Sequence, residues 1–167
     1  MDEMKLIETE LDKIVKPPTV GNRIKLNKRL NSKGNPKRLS CIHFGQRRIG
    51  SQYHPTKATK DKLYPRLEKL LNLFMSNNFP KVEYNQILVN FSNEFSVHKD
   101  KNNKIDSCIL YGLGDYTGGG LNIHDEEQNI ITTVDIRYIP ISFKNKTTYH
   151  SVEPFEGKRY SVITYLI

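Results

Sequence analysis

Two stretches of the chain carry apolar residues at helical spacing. In residues 3–15 the apolar side chains recur every three or four positions until Pro17 and Pro18 interrupt the pattern: they are Met4, Ile7, Leu11 and Ile14. The second stretch is "YPRLEKLLNLFMSNN", where Pro65 is tolerable in the first turn. Its apolar stripe is formed by Leu63, Leu67, Leu70, Leu71, Phe74 and Met75. Both patterns predict amphipathic helices, and we interpret the second stripe as packing surface.

After Pro80 the pattern changes to short β-rich runs separated by turn residues. The runs are "YNQILVNF", "FSVH", "SCILYGL", "GLNI", "NIITTV", "RYIPISF" and "YSVITYLI". Short strands at intervals of about 8 to 12 residues are typical of a β-sandwich or barrel. The sequence therefore predicts a mainly β protein with flanking helices.

Length and composition indicate one compact domain. The chain has 167 residues, of which 37% are apolar, and this is enough for a modest core. No apolar run approaches the length of a membrane helix, and the acidic N-terminus lacks the features of a signal peptide. Cys41 and Cys108 have no CxxC partner and are expected to be ordinary thiols in a reducing compartment. We expect a soluble intracellular monomer, in the cytoplasm or nucleus (including those of a virus-infected cell), with no membrane partner.

The charge is unevenly distributed. Residues 17–60 contain no Asp or Glu and eleven Lys or Arg, whereas the whole chain is +8, so the remainder is 8 − 11 = −3. A segment such as "NKRLNSKGNPKRLS" is not expected to pack as a core and would be solvated or laid against an anion. Nucleic-acid phosphate is the favoured partner, with Arg47 and Arg48 as candidate contacts. A solvated basic loop and a membrane surface are the alternatives.

Candidate metal ligands follow the "FSV" run. His98 and Asp100 stand at i and i+2, so both can face one side of a strand end. The pattern His-x-acid also occurs in His124-Asp125-Glu126, which we interpret as a solvated turn, so the pair alone decides nothing. A mononuclear Fe(II) oxygenase site needs two His and one carboxylate with three positions left open. His150 can supply the third ligand.

A candidate carboxylate-binding group lies nine positions after His150. Arg159 is on the predicted last strand, and Ser161 shares its face. A buried guanidinium is suited to a bidentate grip on a carboxylate.

Together these residues resemble the signature of the Fe(II)/2-oxoglutarate-dependent dioxygenases. More narrowly, "HKDKNN", "YGLGDYTGGGL" and "HSVEPFEGKRYSV" resemble the ten-eleven translocation/J-binding-protein branch, and the resemblance covers residues 80–167 well and the N-terminal half poorly. It implies a double-stranded β-helix (jelly-roll or cupin-like) over residues 61–167. Residues 1–60 would be an N-terminal helix and basic segment, part of that domain or appended to it.

The resemblance also implies roles for particular residues. His98, Asp100 and His150 would hold Fe(II), and Arg159 would bind the distal carboxylate of 2-oxoglutarate with support from Ser161. Asn90 would touch the other end of this cosubstrate, or would simply pair with backbone at a strand edge. Gly118, Gly119 and Gly120 would form a tight turn.

The implied reaction consumes O₂ and 2-oxoglutarate and hydroxylates the methyl group of 5-methylcytosine or thymine in DNA, with 5-methylcytosine preferred. Asn102 and Asn103 are candidate substrate contacts, with a simple turn as the alternative. A prolyl-type protein hydroxylase and an AlkB-type nucleic-acid demethylase would share the same core.

Overall fold

The computed structural model describes residues 2–20, 24–101 and 103–167. Its helices are α1 (Glu3–Asp12), α2 (Lys57–Lys60) and α3 (Pro65–Asn78), and a 3-10 turn spans Ile24–Leu26. Its strands are β1 (Thr19–Val20), β2 (Leu39–Ile49), β3 (Gln52–Pro55), β4 (Gln86–Phe91), β5 (Cys108–Leu113), β6 (Tyr116–Gly118), β7 (Leu121–His124), β8 (Ile130–Val134), β9 (Ile141–Phe143), β10 (Tyr149–Val152), β11 (Phe155–Gly157) and β12 (Tyr160–Tyr165).

The strands form two main antiparallel sheets. The larger has the order β1-β2-β4-β12-β5-β9, with β3 paired to β2, and the smaller has the order β10-β7-β8. A separate pair joins β6 to β11. Residues from both sheets line one internal cavity. This arrangement of facing antiparallel sheets confirms the predicted double-stranded β-helix.

The helices cover the other face of the larger sheet. The apolar side of α3 packs there with α1, and the buried residues of this cluster include Ile7, Leu11, Ile42, Phe44, Leu67, Leu71, Phe74, Met75, Ile87, Val89, Tyr111 and Val162. Most of the predicted helical stripe is therefore core, but Leu63 precedes α3 and is exposed. The first helix ends at Asp12, earlier than predicted. None of the described helices has the length and apolarity needed to span a bilayer; α3, the longest, has 14 residues.

The expectation that the basic segment stays outside the core is wrong for part of it. Residues 39–49 form β2, which pairs with β4 and buries Leu39, Ile42 and Phe44. The apolar residues of "LSCIHF" provide a buried face that the high charge of the whole segment obscured. Residues on both sides of position 60 thus share one sheet and one core. The division into a segment 1–60 and a β-helix core 61–167 stays a prediction.

The run "FSVH" is not a strand. Phe95 and His98 make only isolated bridges, Phe95 to Asn27 and His98 to His150. The second bridge is reciprocal, since each of the two histidines donates its backbone N–H to the carbonyl of the other at 3.0 Å. Backbone pairing therefore holds the segment of His98 directly beside β10.

Candidate active site

The three predicted metal ligands, His98, Asp100 and His150, meet beside β10, the edge strand of the smaller sheet. Nε2 of His98 lies 3.7 Å from Oδ1 of Asp100, and Nε2 of His150 lies 3.8 Å from Oδ2 of the same carboxylate. One candidate ligand atom from each of the three residues lies within 4.8 Å of the others. This set of two imidazoles and one carboxylate can hold a divalent metal ion.

Hydrogen bonds orient both imidazole rings. Nδ1 of His98 donates to the carbonyl of Ser96 at 2.7 Å, and Nδ1 of His150 donates to the carbonyl of Thr148 at 3.0 Å. A carbonyl only accepts, so Nδ1 carries the proton in each neutral ring and Nε2 carries the lone pair. Both lone pairs are on the side of Asp100, an arrangement that a cation between the three groups would stabilise.

Arg159 is a deeply buried cation beside this cluster. Its side chain is 2% exposed, and no described carboxylate forms an ion pair with it. Its Nε donates to the carbonyl of Gly119 at 3.0 Å, and its guanidinium lies 5.6 and 5.4 Å from the ring centroids of Tyr116 and Phe155. Burial lowers the pKa of Arg159, although a guanidinium stays charged at neutral pH. An unpaired buried charge is costly, so an anionic ligand that reaches Arg159 would be strongly stabilised.

The glycine run has a more specific role than a turn. Gly119 has φ +73°, and a Cβ built on it would lie 2.9 Å from Cδ and Nε of Arg159. Only glycine fits this position without displacing the arginine.

Ser161 and Asn90 share the face of the larger sheet that lines the cavity. They are partners in the β4–β12 register, and Nδ2 of Asn90 donates to Oγ of Ser161 at 3.4 Å. Oδ1 of Asn90 accepts from Nδ2 of Asn93 at 3.2 Å, and Oδ1 of Asn93 accepts from the N–H of Ser40 at 3.0 Å. Because Oγ of Ser161 is an acceptor here, its proton is available for another acceptor in the cavity.

An inner cavity of about 80 Å³ connects these groups. Its polar lining consists of Asn90, His98, Asp100, His150, Arg159 and Ser161. An outer cavity of about 630 Å³ shares His98, Asp100, Leu88 and Ile163 with it and opens to solvent. The ligand cluster therefore lies between a small buried chamber that ends at a cation and a larger, accessible one.

Asn103 lines the outer cavity. It is 4% exposed, and its Nδ2 has no hydrogen-bond acceptor among the described residues. A buried donor in a cavity is a contact point for a ligand acceptor. The adjacent candidate, Asn102, lies outside the described residues.

Lysines and tyrosines form much of the remaining outer lining. Lys99, Lys101, Tyr149 and Tyr165 all line the cavity. Nζ of Lys99 lies 3.9 Å from the centroid of the Tyr149 ring and pairs with both carboxylate oxygens of Glu126 at 3.2 Å. The mouth therefore has aromatic and lysine side chains beside His98 and Asp100, and the charge of Lys99 is already neutralised by Glu126.

Arg47 and Arg48 lie on opposite faces of the hairpin formed by β2 and β3. On β2, Phe44 and Gln46 line a second cavity on the helix side together with Tyr53, the partner of Arg48 on β3. Arg47 lies between Gln46 and Arg48 and pairs with His54, so its side chain lies on the opposite face of the hairpin, away from the helices. Arg48 lies on the helix side with its partner Tyr53. Both arginines are exposed.

Other basic residues of the segment are already paired. Lys28 and Arg29 lie within 3.6 and 3.8 Å of carboxylate oxygens of Glu94, and Arg29 also donates to the carbonyl of Phe155. These two residues stabilise the fold near Arg159, so the expectation of a wholly solvated or anion-bound segment is wrong for them.

The interpretation of His124 as part of a solvated turn is also wrong. His124 ends β7, is 7% exposed and forms a 2.8 Å hydrogen bond with Oγ of Ser151. Asp125 and Glu126 do begin the turn to β8. His124 lies outside the cluster formed by His98, Asp100 and His150.

Comparison with known proteins identifies the fold. No protein-family model and no curated protein matches the sequence. Among solved structures, an oxidoreductase of the 2OG-Fe(II) oxygenase family from Burkholderia pseudomallei matches 94% of this chain and 76% of its own, with 15% identity and a TM-score of 0.60. The fold is that of the 2-oxoglutarate/Fe(II) oxygenases.

Two further oxygenase structures have the same fold. OsALKBH1 matches 99% of this chain and 92% of its own, with 14% identity and a TM-score of 0.60. NgTET1, solved in complex with 5mC DNA, matches 75% of this chain and 59% of its own, with 16% identity and a TM-score of 0.51. At such identities the likeness shows the oxygenase fold alone.

Several residues of the site were not found from the sequence. Asn93 orients Asn90, Lys99 lies against Tyr149, and Asn145 contacts Asp100. Asparagine and lysine are common in this chain, and nothing in their local pattern distinguishes these from surface residues. Their position at the site depends on how β10 and β12 pair with neighbouring strands, and the sequence pattern does not show this pairing.

Proposed function

We propose that this protein is an Fe(II)/2-oxoglutarate-dependent dioxygenase. The observation that carries the proposal is the combination of three converging ligand groups with a buried arginine that has no carboxylate partner in the described chain. A dicarboxylate that chelates a metal at one end and ends in an anion at the other matches both features at once.

His98, Asp100 and His150 would hold the iron, and Arg159 would bind the distal carboxylate of 2-oxoglutarate. The hydroxyl of Ser161 would donate to the same carboxylate, and Asn90 would orient that hydroxyl through its 3.4 Å hydrogen bond. The chemistry supplied by Fe(II), 2-oxoglutarate and O₂ together is hydroxylation of a C–H bond, with the cosubstrate oxidised to succinate and carbon dioxide. Leu88, Phe95 and Val152 add an apolar part to the lining of the inner cavity beside these polar groups.

We further propose that the substrate is a 5-methylpyrimidine in DNA. The outer cavity, at about 630 Å³, is within the range of small-ligand sites, and Asn103 offers a buried donor to a base acceptor. Tyr149 and Tyr165 provide aromatic surface on which a base can stack. Lys101 lines this cavity, and the exposed Arg47 lies on the face of the β2–β3 hairpin away from the helices; both would add positive charge that suits a polyanion. A base in a duplex would have to be flipped out to reach this cavity.

Removal of a methyl group from an N-methylated base, as in AlkB-type enzymes, is the second candidate. The same cavity and rim would serve that substrate.

The test is incubation with Fe(II), 2-oxoglutarate and O₂ and separate oligonucleotides that carry 5-methylcytosine, thymine or an N-methylated base, in single-stranded and duplex form. Digestion to nucleosides and mass spectrometry should reveal a hydroxymethyl pyrimidine that requires 2-oxoglutarate and is absent with His150→Ala. Loss of the N-methyl group alone would support the second candidate. Hydroxylation of a proline-containing peptide with no modified nucleoside would overturn both.

A further inference from the structure

Asn145 is a buried polar residue in direct contact with a candidate metal ligand. It lies between β9 and β10 and is 0% exposed. Its Nδ2 donates to Oδ2 of Asp100 at 3.1 Å, and its backbone carbonyl accepts from the N–H of Asp100 at 2.9 Å. One residue therefore holds both the backbone and the carboxylate of Asp100.

The orientation of the Asn145 amide follows from chemistry. An ionised carboxylate only accepts hydrogen bonds, so Nδ2 must face Asp100 and the amide oxygen must point away. That oxygen is buried and has no donor among the described residues. A leucine has the same branching and would avoid the unpaired acceptor, but it could not donate to Asp100, so the hold on that carboxylate is what the amide adds at this position.

The loop that carries Asn145 is also held by hydrogen bonds to the carboxylate of Asp106. Oδ1 of Asp106 accepts from the N–H of Lys146 at 2.9 Å and from that of Thr147 at 3.2 Å, and its Oδ2 accepts from the Thr147 hydroxyl. The N–H of Asn145 donates to the carbonyl of Phe143, whose ring packs edge-on against His150 at 5.2 Å. The amide is thus presented to Asp100 by an anchored backbone.

We propose that Asn145 is a positioning residue that sets the rotation of the Asp100 carboxylate for metal binding. Its hydrogen bond occupies one side of Oδ2 and prevents the carboxylate from turning away from the two imidazoles. Residues that orient a metal ligand in this way typically change metal affinity by about 10- to 100-fold when they are replaced. The inference rests on the proposed function only for its premise that His98, Asp100 and His150 bind a divalent ion.

Calorimetric titration with Mn²⁺, without 2-oxoglutarate and without O₂, tests the role apart from turnover. Asn145→Leu and Asn145→Ala should bind Mn²⁺ about 10- to 100-fold more weakly than the wild-type protein. The melting temperature of apo Asn145→Leu should stay close to that of the wild type, because the lost hydrogen bond to Asp100 is offset by removal of the unpaired acceptor. The control is Asn122→Ala: Asn122 is 5% exposed and bonds to Ser151 and Thr133, and its loss should leave the Mn²⁺ affinity within twofold.

A purely structural residue would give the opposite pattern. Lower melting temperatures for both Asn145 variants, with Mn²⁺ affinity of the folded protein within twofold of wild type, would overturn the positioning role. Absence of Mn²⁺ binding by the wild-type protein would overturn the inference and the proposed function together. Weakened Mn²⁺ binding in the variants, with no hydroxylated product from any substrate, would support the positioning role and count against the proposed substrate alone.

Discussion

Replacement of Arg159 by methionine should stabilise the protein without its cosubstrate and abolish the stabilisation that the cosubstrate provides. The guanidinium is 2% exposed, has no carboxylate partner in the described chain and lies near a second cation, Arg29. Methionine retains much of the apolar stem that packs near Tyr116 and Phe155. The two effects have opposite signs, so no general loss of folding can imitate them.

The magnitudes follow from the contacts of Arg159. Its desolvation costs several kcal/mol, and the bond to Gly119 with the two ring contacts offsets about 3 kcal/mol of this. Removal of the charge should therefore stabilise the apo protein by about 1–2 kcal/mol, or about 2–8 °C in melting temperature for a chain of this size. At 2-oxoglutarate concentrations near 100 times its Kd, the wild type should gain about 2.7 kcal/mol, or about 5–11 °C.

The assay is calorimetric melting with Mn²⁺, without O₂, in the presence and absence of 2-oxoglutarate. The matched control is Arg29→Met, because Arg29 lies 4.1 Å from the centroid of the same Phe155 ring but pairs with Glu94. This control should lose stability and keep the 2-oxoglutarate shift. An Arg159→Met protein that melts lower than the wild type and still responds to 2-oxoglutarate would refute the reasoning.

Four further predictions concern the metal, the substrate and pH. His150→Ala should lose Mn²⁺ binding in a calorimetric titration, and unchanged binding would exclude it as a ligand. Arg47→Glu should flatten the slope of log binding constant against log salt concentration for DNA by about one unit. Arg48→Glu makes the same charge change on the opposite face and should leave this slope unchanged. Equal effects of the two variants would contradict the assigned faces. Asn103→Leu should raise the KM for the nucleic-acid substrate at least about fivefold at unchanged Mn²⁺ affinity; an unchanged KM would remove it from the substrate site. Burial lowers the pKa of His43 below its ordinary value of about 6.5. As the pH falls below about 6.5, His43 therefore binds a proton in the unfolded chain before it does so in the folded protein. Stability should fall there by up to about 1.4 kcal/mol per pH unit, and His43→Phe should remove this dependence in denaturant titrations.

Local pattern was sufficient for the elements whose signals are local. The apolar stripe of α3 was visible from its helical period, and the runs that become β4, β5 and β12 were visible as short, nearly continuous apolar stretches, since these strands are buried on both faces. β2 was not predicted, because its burial of Ile42 and Phe44 depends on pairing with β4, more than 40 positions away. The high positive charge of residues 17–60 as a whole indicated a solvated loop and obscured the strand within it.

The sequence by itself determined the chemical types of the site and their order. His98, Asp100, His150, Arg159 and Ser161 were named from residue type, alternation and a family resemblance, and the structure brings all five to one cavity. Their roles stay predictions. This much was accessible because a metal ligand or a carboxylate-binding group must be one of a few residue types.

Only the tertiary structure decided which ordinary residues serve the site. The backbone bridge between His98 and His150, the hold of Asn145 on Asp100 and the burial of Asn103 all arise from contacts between distant segments. An asparagine or arginine has the same local propensity on a surface loop as beside a cavity. What distinguishes the two is the burial and pairing that the folded sheets impose.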